Sequence, residues 1–287
     1  MVLNKIITTY YPDVRPYTLT SMAYEVRENG VCIAYFDTQK NLHALTLNQM
    51  HETFFVLEHA KRDPKCKVLI WTATGSKAFS SGAAFGLNQP VSCAPEVADA
   101  YRAQKMCPGN PGDAALKTQT LAFWDFPKPV IMAINGLAVG GGANIALMNY
   151  GDLVLASSNA RFKWPFNKLG LSPELGSSVV LAGIVGIPKA KRIMMLGEWL
   201  SAEGAMGMGL VNEVVEPERL LPRAIEMAEQ MAGYSPSGMF RIKDIMNRHT
   251  RAQLEEILDH EAAYIEEGIM EMQKLVAAKK ASKKAKL

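Results

Sequence analysis

The stretch "PVIMAINGLAVGGGANIAL", residues 129–147, decides how the chain is read. "PVIMAI" (129–134) is a short apolar run with the composition of a strand buried on both faces. It passes through Asn135-Gly136 and three consecutive glycines, Gly140, Gly141 and Gly142, into the helix-forming "ANIALMNY" (143–150). Strand, glycine loop and helix in that order mark an α/β protein. Glycines directly before a helix leave the Gly141 and Gly142 amides unpaired at the positive end of the helix dipole, a ready anion site. The spacing excludes a dinucleotide fingerprint, because Ile145 stands where a third Gly or Ala is needed. No Gly-Lys-Ser/Thr is present for a phosphate-binding P-loop.

The same grammar recurs upstream. "MAYEVRE" (22–28) and "VCIAYFD" (31–37) flank Asn29-Gly30 as a hairpin. Met50, Phe54, Leu57 and Ala60 predict a helix over 46–62, and "KVLIWTAT" (67–74) predicts a second buried strand. That strand also ends in a small-residue loop, "GSKAFSSGAAFG" (75–86), where Gly82 lets a ligand approach the Ala83 amide. A helical stretch over 94–126 is broken by Pro108, Gly109, Pro111 and Gly112. "DLVLAS" (152–157) and "ARFKWP" (160–165) read as further strands. From Pro173 onward helices are expected at 173–183, 188–197, 201–208, 217–232, 236–249 and 250 to 279, interrupted by one strand in "GLVNEVV" (209–215). The expected organisation is an α/β core over 1–200 with an irregular arm at 1–20, a helical region over 201–280 that packs on another subunit, and a basic tail at 281–287.

Composition narrows the function classes. At 287 residues and 48% hydrophobic content the chain can bury a substantial core. The formal net charge is +3, yet Lys279, Lys280, Lys283, Lys284 and Lys286 crowd the last nine residues, so the remainder is near neutral and offers no nucleic-acid surface. Cys32, Cys66, Cys93 and Cys107 lack the spacing of a zinc site or disulfide framework, which points to a reducing compartment and no metal. No apolar run reaches the roughly 20 residues of a membrane span, and the N-terminus has no signal-type apolar region. The final Ala285-Lys286-Leu287 resembles a peroxisomal targeting tripeptide, so the expected location is the peroxisome, with an import receptor as partner, and otherwise the cytoplasm.

Two loops offering backbone amides after buried strands together imply a two-donor oxyanion hole. A GxSxG elbow is missing. His43, His51, His59, His249 and His260 sit in contexts of loops or exposed helix faces, which leaves carboxylates as acid-base candidates. Glu174 in "GLSPELGSS" (170–178) is one. Helix-start physics accounts for it too, with Ser172 as cap, Pro173 at the first position and Glu174 in the first turn, and on local grounds that reading is preferred.

Beyond these local signals, "AFSSGAAF" (78–85), "FPKPVIMAINGLAVGGGANIAL" (126–147), "DLVLASSNARFKWPFNKLGLSPELGSS" (152–178) and "AKRIMMLGEWLSAEGAMGMGLVNEVV" (190–215) resemble, in one order, the crotonase or enoyl-CoA hydratase/isomerase superfamily. The resemblance covers most of residues 22–250. It implies a spiral of β-β-α repeats, a helical C-terminal trimerisation region giving homotrimers or hexamers, and an acyl-CoA thioester substrate with no separate cofactor. Its enolate oxygen would be held by the Ala83 and Gly141 amides. Hydratases of the family carry one Glu two residues after the glycine run and another after the "F-x-x-P" strand; here these positions are Asn144 and Phe166. "LGLSPELGSS" instead resembles the peroxisomal-type Δ3,Δ2-enoyl-CoA isomerases, in which one Glu after Ser-Pro acts alone, and Glu174 takes that position. The Gly that often follows it is Leu175 here. Burial beside Trp164 and Phe166 is expected to raise Glu174 towards about 6 to 7. The resemblance also implies substrate contacts at Ala44 (adenine side, through its backbone), Phe85, Asn144, Phe166 and Lys243 (phosphate side). Hydration, dienoyl-CoA isomerisation and non-catalytic acyl-CoA binding are the alternatives.

Overall fold

A computed structural model of the chain describes residues 6–7, 17–84, 111–148 and 150–284. Phe85, Cys93, Cys107, the break at Pro108-Gly109 and the tail Ala285-Lys286-Leu287 lie outside the described residues.

One unit, two strands and then a helix, repeats three times. Val68–Ala73 (β5), Ala78–Ser80 (β6) and the helix Pro111–Trp124 (α2) form the first copy. Val130–Ile134 (β7), Leu137–Val139 (β8) and Gly141–Leu147 (α3) form the second, and Leu153–Ser157 (β9), Arg161–Lys163 (β10) and Phe166–Leu169 (α4) the third. The first strand of each copy joins a six-stranded sheet and the second joins a four-stranded one. In the larger sheet β5, β7 and β9 are parallel neighbours. It is extended on one side by the antiparallel hairpin Met22–Val26 (β3) and Val31–Phe36 (β4), and on the other by Glu213–Val215 (β12). The smaller sheet runs from Leu200–Ser201 (β11) through β10 and β8 to β6. In the N-terminal arm, expected to be irregular, Ile6–Ile7 (β1) pairs with Tyr17–Thr18 (β2).

Side-chain alternation explains why the large sheet is covered on both faces. Cys32, Ala34 and Phe36 of β4, Leu69 and Trp71 of β5, and Val130, Met132 and Ile134 of β7 enter one core. Val31, Ile33, Val68, Ile70, Ile131 and Ala133 enter a second core behind the sheet. Successive residues of a strand point to opposite faces, so a continuous apolar run is the pattern such a sheet requires. The first core contains Trp71, Phe79, Phe123 and Phe126 and holds the helix Leu47–Arg62 (α1). Each aromatic side chain buried this way contributes about 2–3 kcal/mol. Against the second core lies Leu220–Ala232 (α8), through Leu220, Ala224, Ala228 and Ala232, four residues apart on one helix stripe.

Three further features depart from the expectations. β6 and β8 fall in stretches that read as loops, because three residues are too few to show an alternation. The helices expected at 236–249 and 250–279 are one, Pro236–Lys284 (α9), since no Gly or Pro occurs at the junction. The helix expected from Pro173 starts at Ser177 instead and runs to Val185 (α5), followed by Ile187–Leu196 (α6) and Ala202–Gly207 (α7). α9 packs across α2 and α5. Among the described residues no helix is long and apolar enough to cross a membrane.

Candidate active site

Three segments meet where the chain leaves β6 and β8. The loop before α1 is stitched to the loop after β6: Leu45 N–H donates to Gly82 O at 2.8 Å, Ser81 N–H to Leu42 O at 2.9 Å, and Ser80 Oγ to His43 O at 2.7 Å. Ala84 N–H in turn reaches Leu45 O, leaving Ala83 between two paired neighbours with its own N–H unpaired among the described residues. Gly82, at φ +81°, lies so close to β8 that a Cβ there would strike the Val139 carbonyl, and that same Cβ would stand 3.5 Å from Gly141 N. The Ala83 and Gly141 peptides are therefore neighbours. Gly141 is the first residue of α3, so its N–H has no helical acceptor.

The third segment carries Glu174. A Cβ built on Gly141 would lie 2.8 Å from Glu174 Oε1, 3.1 Å from Leu45 Cδ1 and 3.5 Å from Leu175 Cδ1. Gly141 is thus a requirement of space: any side chain would displace the carboxylate. Ser172 does not cap a helix over Glu174. Leu175 at φ +58° and Gly176 at φ +76° turn the chain left-handed, and α5 begins only after them. A left-handed Leu costs about 1–2 kcal/mol, which the surrounding hydrogen bonds offset. Tyr150 OH donates to Leu175 O at 3.0 Å and is itself paired with Thr120 Oγ1. Glu261 of α9 accepts from Gly176 N–H at 2.7 Å, Ser178 N–H at 3.1 Å and Ser178 Oγ at 2.6 Å.

Glu174 is 9% exposed, and its carboxylate has no hydrogen-bond partner among the described residues. Burial, and secondarily the charge of Glu261, push its pKa up to about 7. Burial also raises Glu261, partly opposed by its donors at Ser178 and Gly176. Beside the burial expected from the sequence, a second carboxylate, Glu261, adds to the rise of Glu174.

The remaining candidates divide. Ala44 lies in the loop stitched to Ala83, and Phe166 stands beside Gly140, whose Cβ would be 4.0 Å from the ring. Asn144, expected to touch substrate, is fully buried with its amide committed at both ends: Trp164 Nε1–H donates to Oδ1 at 2.7 Å, and Nδ2–H donates to Glu174 O at 2.9 Å. It holds the Glu174 backbone. Asn144→Ala is expected to lower kcat about tenfold with KM unchanged, and to cost about 1–3 kcal/mol in urea unfolding through the orphaned indole N–H. Lys243 does not join the site. Its ammonium is buried against Asp152 Oδ2 at 2.9 Å and Lys128 O at 3.0 Å, residues that precede β9 and β7, whereas the site loops follow β6 and β8. His43 and His51, expected on loops or exposed faces, are buried. His43 accepts from Thr38 N–H through Nδ1, so Nε2 donates to Thr74 O. Burial lowers His51 to about 4.

Sequence reasoning missed Glu261, Tyr150 and Thr120. A signal for Glu261 existed: on α9 the buried positions Leu254, Leu258, Glu261, Ile265 and Gly268 follow a 4-3-4-3 spacing, with one carboxylate inside an otherwise apolar stripe.

A β-β-α spiral with two amide-bearing loops beside one buried carboxylate is an arrangement able to hold an oxyanion next to a proton-transfer group. The family model for enoyl-CoA hydratase/isomerase matches residues 26–280, and the chain belongs to that family, the crotonase superfamily, as one of its enzymes. It is 30% identical to a short-chain-enoyl-CoA hydratase of Clostridium acetobutylicum over 82% of this chain and 85% of that protein. A 1,2-epoxyphenylacetyl-CoA isomerase of Escherichia coli is 39% identical over 48% of this chain and 52% of its own length. Among solved structures, an enoyl-CoA hydratase/isomerase from Pseudoalteromonas atlantica superposes with a TM-score of 0.78 at 25% identity, covering 92% of this chain and 98% of that one.

Proposed function

We propose that the protein is a Δ3,Δ2-enoyl-CoA isomerase acting on an acyl-CoA thioester. The observation that carries this reading is the approach of Glu174 Oε1 to Gly141, which puts a carboxylate beside two amides unpaired among the described residues, while Asn144 and Phe166 occupy the positions of the hydratase acids. The Ala83 and Gly141 N–H groups receive the thioester oxygen. Glu174 takes a proton from C2, and the electron pair of that C–H bond moves into the conjugated dienolate, whose charge rests on the thioester oxygen. Glu174 then returns the proton to C4, so the double bond moves from C3–C4 to C2–C3. A single group serves both transfers when its pKa lies near the working pH, which burial of Glu174 supports. Hydration needs a second group to activate water, and Asn144 is occupied by Trp164 and Glu174 O.

The deciding experiment compares turnover of 3-enoyl-CoA and 2-enoyl-CoA by the purified protein. Formation of 2-trans-enoyl-CoA is expected, with little hydration of 2-enoyl-CoA; the reverse preference makes it a hydratase, and binding without turnover of either makes it an acyl-CoA-binding protein. Because the free enzyme must present an ionised base, kcat/KM is expected to fall as pH drops through about 7.

A further inference from the structure

We propose that Glu261 is a positioning residue for Glu174: reaching in from α9, it clamps the Gly176–Ser178 turn on which the base is mounted and keeps a second negative charge beside it. The proposal rests on the reading of Glu174 as the base.

The geometry is that of an ionised clamp. Glu261 is 5% exposed, and its two oxygens accept three hydrogen bonds, Oε2 from Gly176 N–H and Oε1 from Ser178 N–H and Ser178 Oγ. All three partners are donors towards it, so a carboxylate fits and a protonated acid, bringing its own O–H, does not. The clamped residues begin two positions after Glu174, and Ser177 N–H closes the turn back onto Glu174 O at 3.1 Å. Leu254 of the same helix packs against Gly176 so closely that a Cβ there would strike it. Among the described residues, the titratable groups that face Glu174 are Glu261 from α9 and Tyr150 from the segment after α3. Tyr150 stays a neutral phenol, raised by burial, and its hydroxyl is engaged with Leu175 O and Thr120. Glu261 is thus the charged neighbour of the base. A helix that otherwise serves packing determines where the carboxylate stands and at what pH it holds its proton.

The test uses the full chain carrying Glu261→Gln. The amide keeps an acceptor oxygen but removes the charge and turns an N–H₂ towards the backbone donors. The acid limb of kcat/KM is expected to move to lower pH, and plateau kcat to fall roughly tenfold with little change in KM. Infrared difference titration of the Glu174 carboxyl, identified by its loss in Glu174→Gln, should show the same downward shift. That spectrum reports on Glu174 whether or not it is the base, so failure of the catalytic reading and failure of this one are separable. A Glu174 titration unmoved in Glu261→Gln overturns the proposal. Ser178→Ala, which removes one donor and no charge, guards against a misfolded Gln variant: kcat should drop roughly threefold with the acid limb in place, and unchanged kcat also overturns it.

Discussion

Glu174→Gln should abolish turnover of 3-enoyl-CoA, by about 10²–10⁴-fold in kcat, while acyl-CoA binding, measured by calorimetry, stays near its original strength. Gln fills the space of Glu, and the Ala83 and Gly141 amides are untouched, so only the proton acceptor is lost. The same substitution should make the protein more stable at alkaline pH. In the folded chain Glu174 is raised to about 7, above the ordinary value of an unfolded Glu, so the fold favours its protonated form. That contribution is complete below the unfolded value, declines as pH rises and is lost once pH passes about 7. Above that point the ionised carboxylate is a burden of about 3 kcal/mol, which neutral Gln removes. A variant that is inactive yet harder to unfold with urea at pH 8 than at pH 5, relative to the parent, is the expected pair of results. Full isomerase activity in this variant would assign the proton transfer to another group.

The second large effect is expected of Gly141→Ala. The new methyl would stand 2.8 Å from Glu174 Oε1 and 3.1 Å from Leu45 Cδ1. Both are ends of side chains, which yield more readily than backbone, so the fold should survive with its melting temperature little changed. The carboxylate, however, has to move aside, and a displacement of about 1 Å from the reacting carbon costs on the order of 10²-fold in kcat/KM. Gly82→Ala makes the control, since its methyl collides with the Val139 carbonyl and its φ of +81° disfavours any side chain. That variant should lose stability together with activity. If Gly141→Ala keeps full activity, the close approach of Glu174 to Gly141 has no part in turnover.

Much of this was legible from residue types. The buried strands 129–134 and 67–74 announced themselves as apolar runs, and the glycines after them marked where backbone amides come close to Glu174. Local sequence could not disclose the mount of Glu174. Ser172-Pro173-Glu174 obeys helix-start preferences, yet a left-handed Leu175 postpones the helix, and no propensity predicts that conformation for Leu. The conformation is maintained by Tyr150 and Glu261, whose hydrogen bonds to this segment span 25 and 85 residues of sequence. Asn144 and Lys243 show the same limit from the other side. As residue types they suit ligand contact, but what engages each of them was decided by partners brought in by the fold, Trp164 for one and Asp152 for the other.

The long reach of α9 also orders events during synthesis. Once β12 has left the ribosome every strand of both sheets is present, but Gly176 N–H, Ser178 N–H and Ser178 Oγ still lack their acceptor. At about 5–20 residues per second, residue 261 follows roughly several seconds later. In that interval the nascent chain holds a nearly finished scaffold with Glu174 on an unsupported turn, so on the proposed roles of Glu174 and Glu261 competence is conferred late and by a single helix. On the same reading, a shortened or misplaced α9 is expected to leave a protein with native sheets and a silent site.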